Sequence, residues 1–389
     1  MHGRVRGRDS GKDAAEREAI KEAISRKAAM YSDLTALLSK MRRAGDTSAQ
    51  ALELTSKVLR INPDYYSLWN YRREVLLALH SESIGLKRER MDGLGADDKD
   101  RRIALEIGVS VREQELNLST EAIMKNPKAY GAWWHRIWIL QRFCVDYARE
   151  LKLCCQFLDQ DQRNFHCWNY RRYVAKSGRV SSAEEFRYST EKIEQNFSNY
   201  SAFHHRSVYI LQLEHKSIDS KTSAISIELA IVENAVFTDP FDQSAWWYHR
   251  FLLNWLKSLL PADQPVESSV LQITDSNKND NIVARDFCSE TLASQIETLR
   301  GLVDLEPQCK WPLDALVNVL TLQQVLTRQG LLPCLPHSTA PQQLETTSAD
   351  IISYLQRLKL LDPARAARYD YLLGRLHCST ESDSAKSSV

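Results

Sequence analysis

The stretch Asn62-Pro63-Asp64-Tyr65-Tyr66-Ser67-Leu68-Trp69-Asn70-Tyr71-Arg72-Arg73 decides the fold, because it recurs. A second copy reads Asn126-Pro127-Lys128-Ala129-Tyr130-Gly131-Ala132-Trp133-Trp134-His135-Arg136. A third is Asp161-Gln162-Arg163-Asn164-Phe165-His166-Cys167-Trp168-Asn169-Tyr170-Arg171-Arg172. Asn196-Phe197-Ser198-Asn199-Tyr200-Ser201-Ala202-Phe203-His204-His205-Arg206 is a fourth, and Asp239-Pro240-Phe241-Asp242-Gln243-Ser244-Ala245-Trp246-Trp247-Tyr248-His249-Arg250 a fifth. In each copy an aromatic anchor sits six positions after the proline or its substitute. An arginine follows three positions later (Arg72, Arg136, Arg171, Arg206), or four in the fifth copy (Arg250).

The anchors Trp69, Trp133, Trp168, Phe203 and Trp246 are separated by 64, 35, 35 and 43 residues. A period of this size marks a repeat solenoid. The long first interval holds the charged stretch 87–102, with Gly93 and Gly95, and reads as a loop insertion. Upstream of Pro63, apolar residues fall at Ala51, Leu54, Val58 and Ile61, which is helical spacing. The residue before proline avoids the α region, so one helix ends there and the next opens just after. Each period is therefore a helical hairpin, and the fold class is all-α, an array of antiparallel hairpins like a tetratricopeptide solenoid. On the second helix Trp and Arg share a face. The tryptophans read as core that fills the space between hairpins, and the arginines as groups that stack on rings or cap carbonyls of the adjacent hairpin.

Glu306-Pro307-Gln308-Cys309-Lys310-Trp311 and Asp362-Pro363 begin two degenerate copies, as terminal repeats often are. The expected organisation is one helical-repeat domain over 1–378, with an N-terminal helix near 14–44. Its repeats run near 48–258 and 285–376, and a surface loop lies over 261–281. A disordered tail is expected over 379–389.

Composition agrees. The chain has 389 residues, nine tryptophans and only 13 glycines, which disfavours hairpin-rich β architecture. A formal net charge of +1 argues against nucleic-acid binding. No apolar run is long enough for a membrane span, and Met1-His2-Gly3-Arg4 opens no signal peptide, so a cytoplasmic protein is expected. Eight cysteines without CxxC spacing read as reduced thiols. No glycine-rich phosphate loop, HExxH or GxSxG motif occurs, so the chain does not read as a complete enzyme, and no metal site is expected within it. His204 and His205 point about 100° apart on a helix and cannot chelate one ion together. One turn is distinctive: Lys128 precedes the Trp133 helix, where free N–H groups suit an anion. From the residues alone it is either a solvated surface lysine or a phosphate site.

These Pro-x5-Trp-x-x-Arg repeats resemble those of the protein prenyltransferase α subunits, and among them the Rab geranylgeranyltransferase branch. The resemblance also rests on Met1-His2-Gly3-Arg4, Pro127-Lys128-x-Tyr130-Gly131, Arg163-Asn164-Phe165-His166-Cys167-Trp168, Thr238-Asp239-Pro240, Leu305-Glu306-Pro307-x-x-Lys310-Trp311 and Leu361-Asp362-Pro363-x-Arg365-Ala366-Ala367. It implies a right-handed superhelical crescent wrapped around a β subunit that holds a catalytic zinc. It also implies transfer of geranylgeranyl from geranylgeranyl diphosphate to C-terminal cysteines of Rab GTPases, which a Rab escort protein presents. The chain alone would be inactive. Lys128 and Tyr130 fall at the diphosphate, and Phe165 and His166 face the same cleft. Trp134 stands where the family usually has histidine. Gly131 replaces a glutamine that reads the CaaX carboxylate in the farnesyl and type I enzymes. His2 has two readings: a terminal residue without a role, or a mobile ligand that reaches the partner's zinc. Some members carry an immunoglobulin-like domain and leucine-rich repeats; here the form with helices alone is expected. An α subunit of the farnesyl/type I enzymes and a non-catalytic tetratricopeptide-like adaptor are the rival readings.

Overall fold

The structure, a computed structural model, describes residues 14–89, 97–143, 145–261, 275–333 and 339–386. Its helices group into two compact units, Met1–Arg179 and Val180–Val389, where the sequence suggests a single domain. The first contains α1 (Ala14–Arg43), α2 (Ala49–Ile61), α3 (Tyr66–Glu89), α4 (Asp97–Lys125), α5 (Tyr130–Arg142), α6 (Tyr147–Gln160) and α7 (Phe165–Ser177). The second contains α8 (Ser182–Gln195), α9 (Tyr200–Ile210), α10 (Ile218–Thr238), α11 (Gln243–Lys257), α12 (Asp275–Leu305), α13 (Lys310–Arg328), α14 (Ala340–Leu361) and α15 (Ala366–Lys386). Among the described residues all regular structure is helical, and no helix is long and apolar enough to cross a membrane.

The hairpins are α2–α3, α4–α5, α6–α7, α8–α9, α10–α11 and α12–α13, each closed by an Asn-Pro, Asp-Pro or equivalent turn. Some expected boundaries shift. α3 reaches Glu89 and α4 starts at Asp97, so the presumed insertion is helical at both ends. α12 starts at Asp275, inside the expected loop, whose residues 262–274 lie outside the described ones. α15 runs to Lys386, through much of the expected tail. The buried stripe of α2 is Ala51, Thr55, Val58 and Leu59, and Ile61 is exposed. A count of apolar residues misses Thr55, which faces inward because it accepts a hydrogen bond from Arg72.

The fixed distance between turn and anchor has a direct cause. The indole N–H of Trp69, Trp133, Trp168 and Trp246 donates at 2.9 Å to the carbonyl six residues back, on Pro63, Pro127, Gln162 and Pro240. The anchors are buried, so each indole finds a partner that water cannot supply. Phe203 fills the same space without this bond.

The arginines do more than stack. Arg72 grips buried Glu115 with two bonds of 2.7 and 2.6 Å, while its other arm donates to Leu52 O, Thr55 and Ser56. Arg136 does the same with Glu150 on one side and Leu116 O, Ser119 and Thr120 on the other. Arg206 pairs with Glu228 and with Ser189 and Thr190. Each guanidinium thus rivets the first helix of its own hairpin to the first helix of the next. A third group completes every carboxylate: His135 on Glu115 at 2.8 Å, Tyr170 on Glu150 at 2.7 Å, Tyr248 on Glu228 at 2.7 Å. Burial pushes the Glu115 carboxyl up, but the bonds from His135 and Arg72 outweigh it and hold it at about 2. Arg171 is buried too, with Cys155 against its guanidinium.

The fifth copy departs from this pattern, and Arg250 is not its rivet. Arg250 is exposed; His249, three residues after Trp246, is buried and bonds Gln295 of α12 at 2.9 Å. The single-residue offset turns Arg250 about 100° away from the face the other arginines use. Burial lowers the His249 pKa to about 4, against the opposing effect of the hydrogen bond that Gln295 Oε1 accepts from its ring. The unfolded chain takes up that proton near pH 6.5. Stability from this group is therefore complete above about pH 6.5 and is lost as pH falls towards 4, by about 3 kcal/mol in all. Urea unfolding followed from pH 7.5 to 4.5 should show this slope in the wild type. It should be absent from His249→Arg combined with Gln295→Glu, which restores the pattern of the other copies. Parallel curves for the two proteins would refute the assignment.

Candidate functional site

Lys128 is exposed in the turn between α4 and α5. The turn is tightly made: Asn126 Oδ1 accepts from the Lys128 N–H at 3.1 Å, and Ala129 N–H donates to Asn126 O at 3.0 Å. Buried Asn164, the cap of α7, ties this turn to the next hairpin. Its Oδ1 accepts from the N–H groups of His166 and Cys167, and its Nδ2 donates at 3.0 Å to Pro127 O, directly before Lys128.

The start of α5, like that of α13, lacks a side-chain cap that three of its equivalents have. α7, α9 and α11 are capped by the side chains of Asn164, Asn199 and Asp242. α5 has Ala129 in the cap position and no side-chain cap. The Ala132 N–H donates to Ala129 O at 3.1 Å, and the N–H groups of Tyr130 and Gly131 lie at the positive end of the helix dipole, just after Lys128 in the chain.

Tyr130 is half exposed yet pinned on three sides. Its ring stacks on Tyr66 at 6.2 Å, meets Trp134 edge-on at 5.9 Å and lies 5.9 Å from His166. Phe165 is exposed and contacts His166, with ring centroids 3.9 Å apart. Partial burial lowers the His166 pKa, and the Lys128 ammonium lowers it further. The structure therefore gathers Lys128, Tyr130, Phe165 and His166 at one place, with Tyr66 and Trp134 added to them. Tyr66 had a readable signal, since it holds in the first copy the position Tyr130 holds in the second. Of the ten repeat positions, from Trp69 to Arg250, all but Arg250 are buried in the packing between helices.

Gly131 has a packing reason. A Cβ there would stand 2.4 Å from Cδ1 of Trp69, whose ring is fully buried, bonded to Pro63 O and 4.8 Å from His135. No side chain fits at 131 unless Trp69 moves. Among the described residues no group of three or more His, Cys, Asp or Glu could hold a metal ion; His2 lies outside them.

The hairpins match known proteins. A family model, the protein prenyltransferase alpha subunit repeat, matches residues 48–79, 112–143, 147–177, 182–213 and 225–256. Those spans are the hairpins from α2–α3 to α10–α11. The geranylgeranyl transferase type-2 subunit alpha of Rattus norvegicus is 40% identical over 234 residues, 58% of this chain and 38% of that protein. The chain thus matches less than half the length of the mammalian relatives. The protein of the same name from Dictyostelium discoideum is 33% identical over 290 residues, covering 74% of this chain and 79% of that one. Among solved structures, Candida albicans protein geranylgeranyltransferase-I complexed with GGPP aligns with a TM-score of 0.54 at 20% identity, over 89% of this chain and 90% of that one, which speaks to the fold. The chain belongs to the protein prenyltransferase alpha subunit family, on the branch of the geranylgeranyl transferase type-2 alpha subunits.

Proposed function

We propose that this chain is the α subunit of a heterodimeric, cytoplasmic Rab geranylgeranyltransferase. The observation that carries the reading is the Lys128 turn: a cation beside the uncapped start of α5, with Tyr130 and His166 held against it. In the reaction a cysteine thiolate of the Rab attacks C1 of geranylgeranyl diphosphate. The new C–S bond forms as the C1–O bond breaks, and diphosphate leaves. Negative charge grows on the departing group. Lys128 and the first N–H groups of α5 are the donors this chain brings to it. His166, whose pKa is lowered by partial burial and by the Lys128 ammonium, adds a ring nitrogen that can hydrogen-bond the departing group. In this reading the zinc that lowers the thiol pKa belongs to the β subunit, as does the rest of the lipid pocket. Gly131 leaves no side chain to read a CaaX carboxylate, which suits a substrate delivered by an escort protein.

The test is co-expression with a type-2 geranylgeranyl transferase β subunit. The pair should co-purify and transfer labelled geranylgeranyl to a Rab GTPase in the presence of an escort protein. Transfer to a CaaX peptide with a type I β subunit would move the chain to the other branch. A monomer that ignores both β subunits would leave the adaptor reading.

A further inference from the structure

The turn that carries Lys128 is held from both sides. On the side of the following hairpin, buried Asn164 donates to Pro127 O at 3.0 Å. On the side of the preceding hairpin, Asp64 Oδ2 accepts from Asn126 Nδ2 at 2.6 Å. Asp64 stands in the first copy where Lys128 stands in the second.

A line of hydrogen bonds runs through this contact. The Tyr31 hydroxyl of α1 accepts from Asn62 Nδ2 at 2.8 Å. Asn62 Oδ1 accepts from the Asp64 N–H at 3.1 Å. Asp64 Oδ2 accepts from Asn126 Nδ2, and Asn126 Oδ1 accepts from the Lys128 N–H at 3.1 Å. Donor and acceptor match at every step. Each asparagine turns its oxygen to a backbone N–H in its own turn, which leaves its NH2 to face the preceding element. At Asn126 a carboxylate answers that NH2, and this contact is the shortest in the line. The ends of α2 and α4 are pinned separately. Lys125 Nζ donates to Arg60 O at 2.6 Å, and Arg60 pairs with Glu121 at 2.6 Å. Loss of the Asp64 bond therefore loosens the turn and leaves α2 and α4 together.

We propose that Asp64 is a positioning residue for Lys128: acting through Asn126, it sets where the ammonium meets the departing diphosphate. The inference rests on the function proposed above. Lys128 is exposed on a flexible four-carbon stem, so its aim depends on how firmly its backbone is held. A donor displaced by about 1 Å loses much of its hold on developing charge. The negative charge of Asp64 gives the leaving group nothing, because like charges repel. What Asp64 contributes is the bond it accepts, and the side-chain oxygen of asparagine can accept the same bond.

The test uses the paired subunits. One readout is transfer of labelled geranylgeranyl to a Rab GTPase with its escort protein, and the other is amide hydrogen exchange across residues 126–132. Asp64→Ala should lower kcat roughly 3–30-fold, with KM for the lipid changed less and the urea unfolding midpoint kept. Asp64→Asn should restore most of the rate. In a Lys128→Ala background, Asp64→Ala should cost nothing further, because no ammonium is left to aim. Exchange over 126–132 should quicken in Asp64→Ala and stay at the wild-type rate in Asp64→Asn. The proposal is overturned by unchanged exchange or unchanged kcat in Asp64→Ala. It is equally overturned by an Asp64→Asn variant as slow as Asp64→Ala, by the same fold-loss with and without Lys128, or by a rate loss matched by lost stability. A Lys128→Ala pair as fast as wild type would instead count against the function proposed above, and the exchange result alone would then decide whether Asp64 holds the Lys128 turn.

Discussion

Arg72→Met is expected to destabilise the first unit by about 3–5 kcal/mol, the range for breaking a buried ion pair from one side. The loss is large because of what it leaves behind. Glu115 is 1% exposed, and without Arg72 its remaining hydrogen-bond partner among the described residues is His135. A charge deprived of its counter-charge in a dry site is far more costly than the pair was favourable. The same argument predicts a rescue. Arg72→Met together with Glu115→Gln removes the stranded charge and keeps an acceptor for His135, so it should recover more than half of the loss. Urea denaturation of the single and double variants measures both effects. A single variant within about 1 kcal/mol of wild type, or a double variant no better than the single, would show that the rivet is not a buried charge pair in solution.

Lys128→Ala is expected to lower kcat for prenyl transfer by the paired subunits roughly 10–1000-fold, as when one donor to developing negative charge is removed. The effect should fall on kcat more than on KM for the lipid, because charge on the diphosphate oxygens grows as the C1–O bond breaks. Stability should not fall. Lys128 is exposed, and a cation at the start of a helix is unfavourable by a few tenths of a kcal/mol, so the variant should be as stable as wild type or slightly more so. Lys128→Arg keeps the charge and should retain part of the activity. Equal turnover for Lys128→Ala and wild type would remove the residue from the reaction; a lower rate with lost stability would make it a structural residue.

The hairpins and their anchors were legible because their signals are local and strictly spaced. Pro63 and Trp69, or Pro127 and Trp133, are close in sequence and touch in space. The rivets were only half legible. Arg72, Arg136 and Arg206 reach glutamates 43, 14 and 22 residues away, because the connections between hairpins vary in length. A fixed-offset search cannot find such pairs. The glutamates nonetheless keep a constant distance within their own hairpins: Glu115, Glu150, Glu185 and Glu228 each lie 20 residues before the His135, Tyr170, His205 and Tyr248 they bind. The corresponding place in the first copy, 20 residues before Tyr71, is Ala51. Arg250 misled because identity was weighed above phase. At the site, Lys128 stood out by type alone, whereas the open start of α5 depends on Ala129 lacking what Asn164 has, an absence that becomes visible only when the caps are compared.

The indole-to-carbonyl bond has a consequence for how such a protein can change. The tryptophan holds each turn by its main chain, and the side chain at the end of the first helix (Asn62, Asn126 or Asp161) holds it by accepting the N–H two residues on, so neither bond depends on the side chain at 64, 128 or 163. Pro63 and Gln162 both serve there as acceptors, and the residue that follows differs from copy to copy, as Asp64, Lys128 and Arg163. A loop secured from outside can be rewritten one residue at a time without loosening the array. Repetition then becomes a supply of spare positions, on which one turn can take up chemistry while its neighbours go on serving only as structure.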